Sequence, residues 1–329
     1  MLWHTYQEIK MSFINKCLAI FAAAVAMPVA AQDKLNIFIA TGPTSGVYYP
    51  MGGGMADLLT KYVPSLNATA GTTAGSVANL QLMLNKKADI ALSMADAGWD
   101  AYKGQHKFQG SAVPVRALMV LYSNRMHVVT VEGTGINKFS DLKGKRVSTG
   151  AVNSATEVMA LRLTEAHGMT FKDFTQERLD PGKSADAIKD KKLDAFFWVG
   201  GIPTAAITEL AATPGVKLKL VDHEDGVAGM NKAYGPLYVR DVIPAKAYPG
   251  QEQPNRIATV WNVLLARADV SDQVAYDIVK TMFERKADME RVHPESRNFD
   301  LKYQTNAASV VPFHPGAIKY FAEKGVKVQ

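Results

Sequence analysis

Cysteine is almost missing from this 329-residue chain: Cys17 is the one copy, and it lies in a stretch expected to be removed. Lys10 and Lys16 precede the apolar run Cys17 to Ala26, and Val29, Ala30 and Ala31 put small residues where a signal peptidase cuts. A cleaved signal peptide over residues 1–31 is therefore expected, with Gln32 as the new N-terminus and a periplasmic location. Met11 would serve as the start as well as Met1, because residues 1–10 only extend a signal that is already complete. The exported chain would then have no disulfide, thiolate nucleophile or cysteine metal site. Cys17 opens the apolar run rather than closing it, which does not suit a lipid attachment site. The run is also too short and alanine-rich for a membrane span, which needs about 20 strongly apolar residues.

Catalytic signatures are absent too. Gly42 to Tyr48 contains no lysine, so no phosphate-cradling Gly-Lys-Ser/Thr loop is formed. Gly52, Gly53 and Gly54 form a continuous run instead of the dinucleotide pattern Gly-x-Gly-x-x-Gly, and no Gly-x-Ser-x-Gly elbow occurs. Zinc sites use closely spaced histidines or cysteines, whereas His106, His127, His167, His223, His293 and His314 are scattered. No metal and no cofactor are expected. The acidic group Asp222, Glu224 and Asp225 around His223 reads as a solvated loop. The formal charge is +6, and losing Lys10, Lys16 and Glu8 with the leader lowers it by one. A small positive excess favours capture of small anions. With no basic cluster among aromatic neighbours, no nucleic-acid partner is expected.

What the chain does have is a repeated alternation of strand and helix. Leu35 to Ala40 reads as a strand, Gly42, Pro43 and Gly46 as a turn, and Met51, Met55, Leu58, Leu59 and Tyr62 recur at helical spacing from Pro50 onward. Gly52 to Gly54 weaken that helix by roughly 1 kcal/mol each relative to alanine. Two explanations stand: close helix packing, or a bare helix N-terminus that offers N–H groups and a positive dipole end to an anion. In the second, Thr44, Ser45, Tyr48 and Tyr49 are the side-chain contacts, although neighbours such as Tyr48 and Tyr49 cannot both face inward. Leu66 to Ala70 gives a second strand, Ser76 an N-cap for a helix with Val77, Leu80, Met83 and Leu84 on one face, and Asp89 to Ser93 a third strand.

Val115 to Tyr122 and His127 to Val131 read as two strands with Ser123-Asn124-Arg125 between them, near a first crossing into another lobe. After the strand Arg146 to Thr149, Ser154 and Glu157 have capping-box spacing at the start of a helix that Gly168 ends. Ala195 to Val199 and Lys217 to Val221 are further strands, Ile257 to Ala266 a long buried one, and Val274 to Phe283 a helix. Asn85-Lys86-Lys87-Ala88-Asp89-Ile90 and Asp190-Lys191-Lys192-Leu193-Asp194-Ala195 echo each other, so the lobes look alike. Roughly 300 residues remain after cleavage, near the size at which cores split. Alternating strands and helices imply mainly parallel sheets, whose ligands lie beyond the carboxyl ends of the strands. Those ends are Thr41 to Ser45, Met94 to Asp96, Gly150 to Thr156 and Trp198 to Pro203. The candidate ligand contacts are accordingly Thr41, Thr44, Ser45, Tyr48, Tyr49, Ser76, Asp96, Asn153, Ser154, Thr156, Trp198 and Gly201. Asp96 is either an acceptor for an ammonium group or a helix cap, and Trp198 either a cleft wall or core.

Thr41-Gly-Pro-Thr-Ser-Gly-Val-Tyr-Tyr-Pro, Thr73-Ala-Gly-Ser-Val-Ala-Asn-Leu, Asp141-Leu-Lys-Gly-Lys-Arg-Val-Ser, Asn153-Ser-Ala-Thr-Glu, Phe196-Phe-Trp-Val-Gly-Gly-Ile-Pro and His314-Pro-Gly-Ala occur in this order along the mature chain. Together they resemble the TAXI family, the extracytoplasmic solute receptors of a subclass of tripartite ATP-independent periplasmic (TRAP) transporters. The chain departs from the family pattern at Ser93 to Asp96 and at Gly42-Pro43-Thr44. The resemblance implies an α/β, two-lobed periplasmic-binding-protein fold, type II-like, each lobe a mainly parallel sheet flanked by helices with the ligand cleft between them. Residues 32–124 and 245–329 would form lobe 1 and residues 125–244 lobe 2. The resemblance also implies a non-enzymatic receptor, a monomer, that takes a small organic anion such as glutamate, glutamine or a related C5 dicarboxylate. It would deliver that ligand to TRAP-type permease subunits. A secreted hydrolase or other α/β enzyme using Asp96 or Glu157, and an adhesin-like surface protein, are the competing classes.

Overall fold

The apolar run at Leu35–Ala40 forms strand β1 and pairs in parallel with β2, Leu66–Gly71, in a computed structural model that describes residues 33–328. The predicted leader, its cleavage point and Cys17 lie outside the described residues. Helix α1 (Tyr48–Tyr62) connects β1 to β2, and α2 (Ser76–Leu84) leads into β3 (Ile90–Met94), which pairs with β1 on its other side. Helix α3 is Ala95–Lys103.

Strand β4 runs unbroken from Val115 to Val131, which corrects the expectation of two strands. Later elements are β5 (Arg146–Ser148), α4 (Ala155–Ala166), β6 (Thr175–Glu177), α5 (Pro181–Lys189), β7 (Ala195–Gly200) and α6 (Ala205–Ala212). They are followed by β8 (Leu218–Leu220), α7 (Val227–Tyr234), β9 (Val239–Ile243), β10 (Asn255–Arg267) and α8 (Asp272–Glu284). No helix among the described residues is long and apolar enough to cross a membrane.

The strands lie in the order β2-β1-β3-β10-β4-β7-β5-β6, with β8 on β4 and β9 on β10. β1 to β3 are mutually parallel, as are β5 to β7, but β4 and β10 run antiparallel to every strand they touch. The sheet is therefore mixed as a whole, with two parallel groups on either side of an antiparallel pair. The cause is in the two long strands. Leu264 to Arg267 of β10 pair with Val115 to Met119 of β4, near β3, while Arg125 to Thr130 of β4 pair with β7. β10 pairs with β3, β4 pairs with β7, and the two pair with each other, so together they join the groups. Ser123, Asn124 and Arg125 continue the pairing, against Trp261, Val260 and Thr259, so a polar triplet that reads as a turn is the middle of a strand.

Packing explains two of the three glycines of α1. A Cβ on Gly52 would lie 2.3 Å from Thr41 Cγ2 and one on Gly54 2.7 Å from Val292 Cγ2, while Gly53 has open space around it. Gly52 lets α1 lie directly on the end of β1, and Gly54 admits the helix Lys286–Val292. β6 and β9 went unread because edge strands bury few side chains and show no apolar alternation: Thr-Gln-Glu in β6 has no buried residue.

Candidate functional site

The carboxyl ends of β1, β3 and β7 and the loop after β5 meet around a narrow cavity. Pro43, Gly46, Val47 and Tyr48 supply one wall, and Ala74, Gly75, Ser76 and Met94 a second. Ser154, Ala155, Thr156, Trp198, Val199 and Gly200 stand opposite, and Tyr122 and Asn124 of β4 complete the lining. The walls come close together. Gly46 is a glycine because a Cβ there would lie 3.0 Å from the Trp198 ring, and the Asn153 carbonyl accepts a 3.0 Å bond from Ala78 N at the start of α2.

Of the candidate residues, Tyr48, Ser76, Ser154, Thr156 and Trp198 line this cavity. Ser76 does not cap α2: its Oγ accepts from Met94 N at 3.0 Å, and Gly75, at φ 115°, holds the cap position. Left-handed backbone of that kind favours glycine. Ser154 caps α4 by accepting from Glu157 N at 3.1 Å. Glu157 does not reach back to complete a capping box; its carboxylate pairs with Arg178 at 2.9 Å and lies 3.7 Å from Lys107. Trp198 Nε1 donates to Thr204 Oγ1 at 3.0 Å, which fixes the indole as a cavity wall.

The other candidates are elsewhere. Thr41 is buried and its hydroxyl donates to Gly71 O at 2.6 Å, tying β1 to β2. Thr44 and Tyr49 are exposed, with Tyr49 turned outward by its neighbour's inward position. The Ser45 side chain packs on Gly182, and its carbonyl accepts from Ala206 N at 3.4 Å. Asn153, at φ 62°, contributes only the carbonyl already described. Gly201 stands behind the wall, where a Cβ would lie 2.9 Å from the Tyr122 ring and 2.7 Å from Glu295 Cγ.

Asp96 neither meets the cavity nor acts simply as a cap. It accepts from Tyr238 OH at 2.8 Å and from Ala97 N at 2.8 Å, and lies 3.5 Å from Arg162 Nη1. Arg162 also bonds Asp100 at 2.5 Å and Tyr238 at 2.8 Å, under the Tyr234 ring. Burial raises the Asp96 pKa, and Arg162 opposes that rise. For Arg162 burial works against the charge, but Tyr238, Asp96 and Asp100 outweigh it and its pKa rises. This buried cluster joins α3 to α4, and it takes up the acidic group that sequence reasoning offered to a ligand.

No charged side chain lines the cavity. Its electrostatics come from helix ends: the first turns of α1, α2 and α4 face it, and the first four N–H groups of a helix lack intrahelical partners and carry a partial positive charge. Tyr48 OH donates to Asn262 Oδ1 on β10, and burial pushes the phenol well above the usual tyrosine range, so it remains a neutral donor. Tyr122 and Asn124 were missed as site residues. Being two apart on β4 they share one face, and the one signal available was a polar triplet between two apolar runs. Among the described residues no group of three His, Cys, Asp or Glu side chains could hold a metal ion. Such an arrangement can hold a small anion by N–H groups and neutral hydroxyls, and it presents no nucleophile with an adjacent base.

Several solved structures are similar to this chain. The periplasmic aliphatic sulphonate binding protein SsuA from Escherichia coli is 13% identical with a TM-score of 0.48, covering 88% of this chain and 82% of its own. A putative L-cystine ABC transporter protein from Listeria monocytogenes is 14% identical with a TM-score of 0.49, covering 80% and 95%. The probable amino-acid ABC transporter extracellular-binding protein YtmK from Bacillus subtilis is 16% identical with a TM-score of 0.44, covering 79% and 96%. The sequence model of the NMT1-like family matches residues 39–325, and the chain belongs to that family.

Proposed function

We propose that this chain is an extracytoplasmic solute-binding receptor, not an enzyme, that captures a small organic anion by closure of two lobes and hands it to a membrane permease. The observation that carries the reading is the cavity itself, an uncharged space on which three helix N-termini converge from strands of both sheet groups. The lobes divide near residues 124/125 and 244/245, with β4 and β10 as the connecting strands. Closure is favoured because the ligand touches both sides and so binds the closed state better than the open one. By the resemblance to TAXI receptors, the ligand is glutamate, glutamine or a related C5 dicarboxylate, the protein is a periplasmic monomer, and the permease is of TRAP type.

The test is a thermal-shift screen of the purified protein against amino acids, mono- and dicarboxylates and sulfonates. A ligand at 100 times its Kd stabilises by about 2.7 kcal/mol, a shift of a few degrees. No shift with any small anion, together with turnover of an ester or glycoside, overturns the receptor reading. Uptake that stops when the ion gradient is collapsed but ATP is kept supports a TRAP permease; the reverse points to an ATP-driven one.

A further inference from the structure

Three buried polar atoms in or directly behind the cavity wall have no hydrogen-bond partner in the protein: Tyr122 OH, Asn124 Oδ1 and Asn262 Nδ2. Their residues are 0%, 1% and 0% exposed. Tyr122 and Asn124 line the cavity, and Asn262 joins them through its bond to Tyr48, which also lines it. Asn262 is carried there by an irregularity in β10, where the pairing with β4 shifts register between Trp261 and Val263. Such bulges re-aim a side chain that regular pairing would place elsewhere.

Tyr122 OH can donate or accept, Asn262 Nδ2 donates and Asn124 Oδ1 accepts. No cation stands with them. Arg125 is taken by Asp241 at 3.1 Å and Glu295 at 3.0 Å, and Arg162 by Asp96 and Asp100. Glu295 packs beside the Tyr122 ring, since a Cβ on Gly201 would touch both. A carboxylate placed here would find no countercharge and would lie close to another carboxylate. Burying a charge without a partner is far more costly than burying a hydrogen-bonded neutral group. A primary amide offers the complement, a carbonyl for the two donors and an NH₂ for the acceptor.

We propose that Tyr122, Asn124 and Asn262 form a neutral subsite for the uncharged polar end of the ligand, so that the receptor prefers an ω-amide monoacid to the corresponding dicarboxylate. The inference rests on the receptor reading above and narrows it. Burial, with Tyr48 and Glu295 adding to it, holds the Tyr122 phenol well above its ordinary pKa, so it stays a donor throughout the physiological range.

The experiment is calorimetric titration of the intact protein with two matched pairs, glutamine against glutamate and glutaramate against glutarate. Each amide should bind at least tenfold more tightly than its carboxylate partner. Equal or tighter binding of the carboxylates overturns the subsite but leaves the receptor reading standing; binding of none of the four overturns the C5 ligand class and the subsite with it, and leaves the receptor reading to the thermal-shift screen. A second measurement uses Tyr122→Phe. Because the lost hydroxyl has no protein partner, the ligand-free melting temperature should hold or rise while the preference for the amide falls severalfold. A lower melting temperature with the preference intact assigns Tyr122 to structure alone and overturns its role.

Discussion

Two polar regions of the molecule lie near each other and are built on opposite rules. At Arg162, charge is concentrated and paired with Asp96, Asp100 and Tyr238. At the cavity, charge is excluded, and three buried polar atoms are left without protein partners. The difference separates a group that serves folding from one that is proposed to serve a ligand. Pairing within the chain uses up hydrogen-bonding capacity, and what remains unpaired is what a ligand can use. Breaking the first region should cost stability, and altering the second should cost affinity.

The largest effect is expected from Arg162→Met. Removing the guanidinium strands Asp96 and Asp100 in the interior, and the loss of one partner from a buried ion cluster costs about 3–5 kcal/mol. Urea unfolding measures it; a loss below about 1 kcal/mol would place the cluster among the exposed pairs that contribute little, and the contrast would collapse.

Acid should act next. Burial lowers His127 to about 3 and His223 to about 4, against roughly 6.5 in the unfolded chain. The unfolded state then binds more protons, so their contribution is fully present above pH 6.5 and is lost as pH falls toward 4 and 3. The slope is up to about 1.4 kcal/mol per pH unit for each histidine. Asp96 and Glu295, whose pKa values burial raises, act in the reverse sense and gain stability as the pH falls into their range. Unfolding free energies at pH 7, 6 and 5 should decline, and a flat profile contradicts the buried neutral imidazoles.

Smaller effects sharpen the glycine and cap assignments. Gly52→Ala forces a methyl onto Thr41 and should cost about 1–3 kcal/mol, while Gly53→Ala, with room around it, should stabilise by up to about 1 kcal/mol. Equal effects at the two positions would refute the packing account. Ser154→Ala removes the cap on Glu157 N and should cost about 1 kcal/mol in addition to any loss of ligand affinity. Denaturation without ligand separates the two contributions.

Much of the secondary structure could be read from apolar runs and turn residues, since β1, β3, β7, α4 and α8 all follow the spacing of their buried side chains. The short edge strands β6 and β9 could not. The candidate site was legible only in part. Tyr48, Ser76, Ser154, Thr156 and Trp198 sit at strand ends and helix starts, and those positions can be found from local pattern. Tyr122 and Asn262 are buried in long strands where nothing local separates a cavity wall from core. Asp96 misled because its partner, Arg162, is 66 positions away in the chain.

By itself the sequence determined the alternation of strands and helices, the turns, and the lack of thiol or motif-based chemistry, because these depend on residue type and short-range spacing. Tertiary structure alone decided that β4 and β10 together join the two sheet groups, that Gly52 and Gly54 serve packing, and which polar groups find partners. The physical reason is that pairing and burial are properties of residues brought together from distant positions. An unsatisfied donor can be recognised only when every neighbour that could have satisfied it is in place.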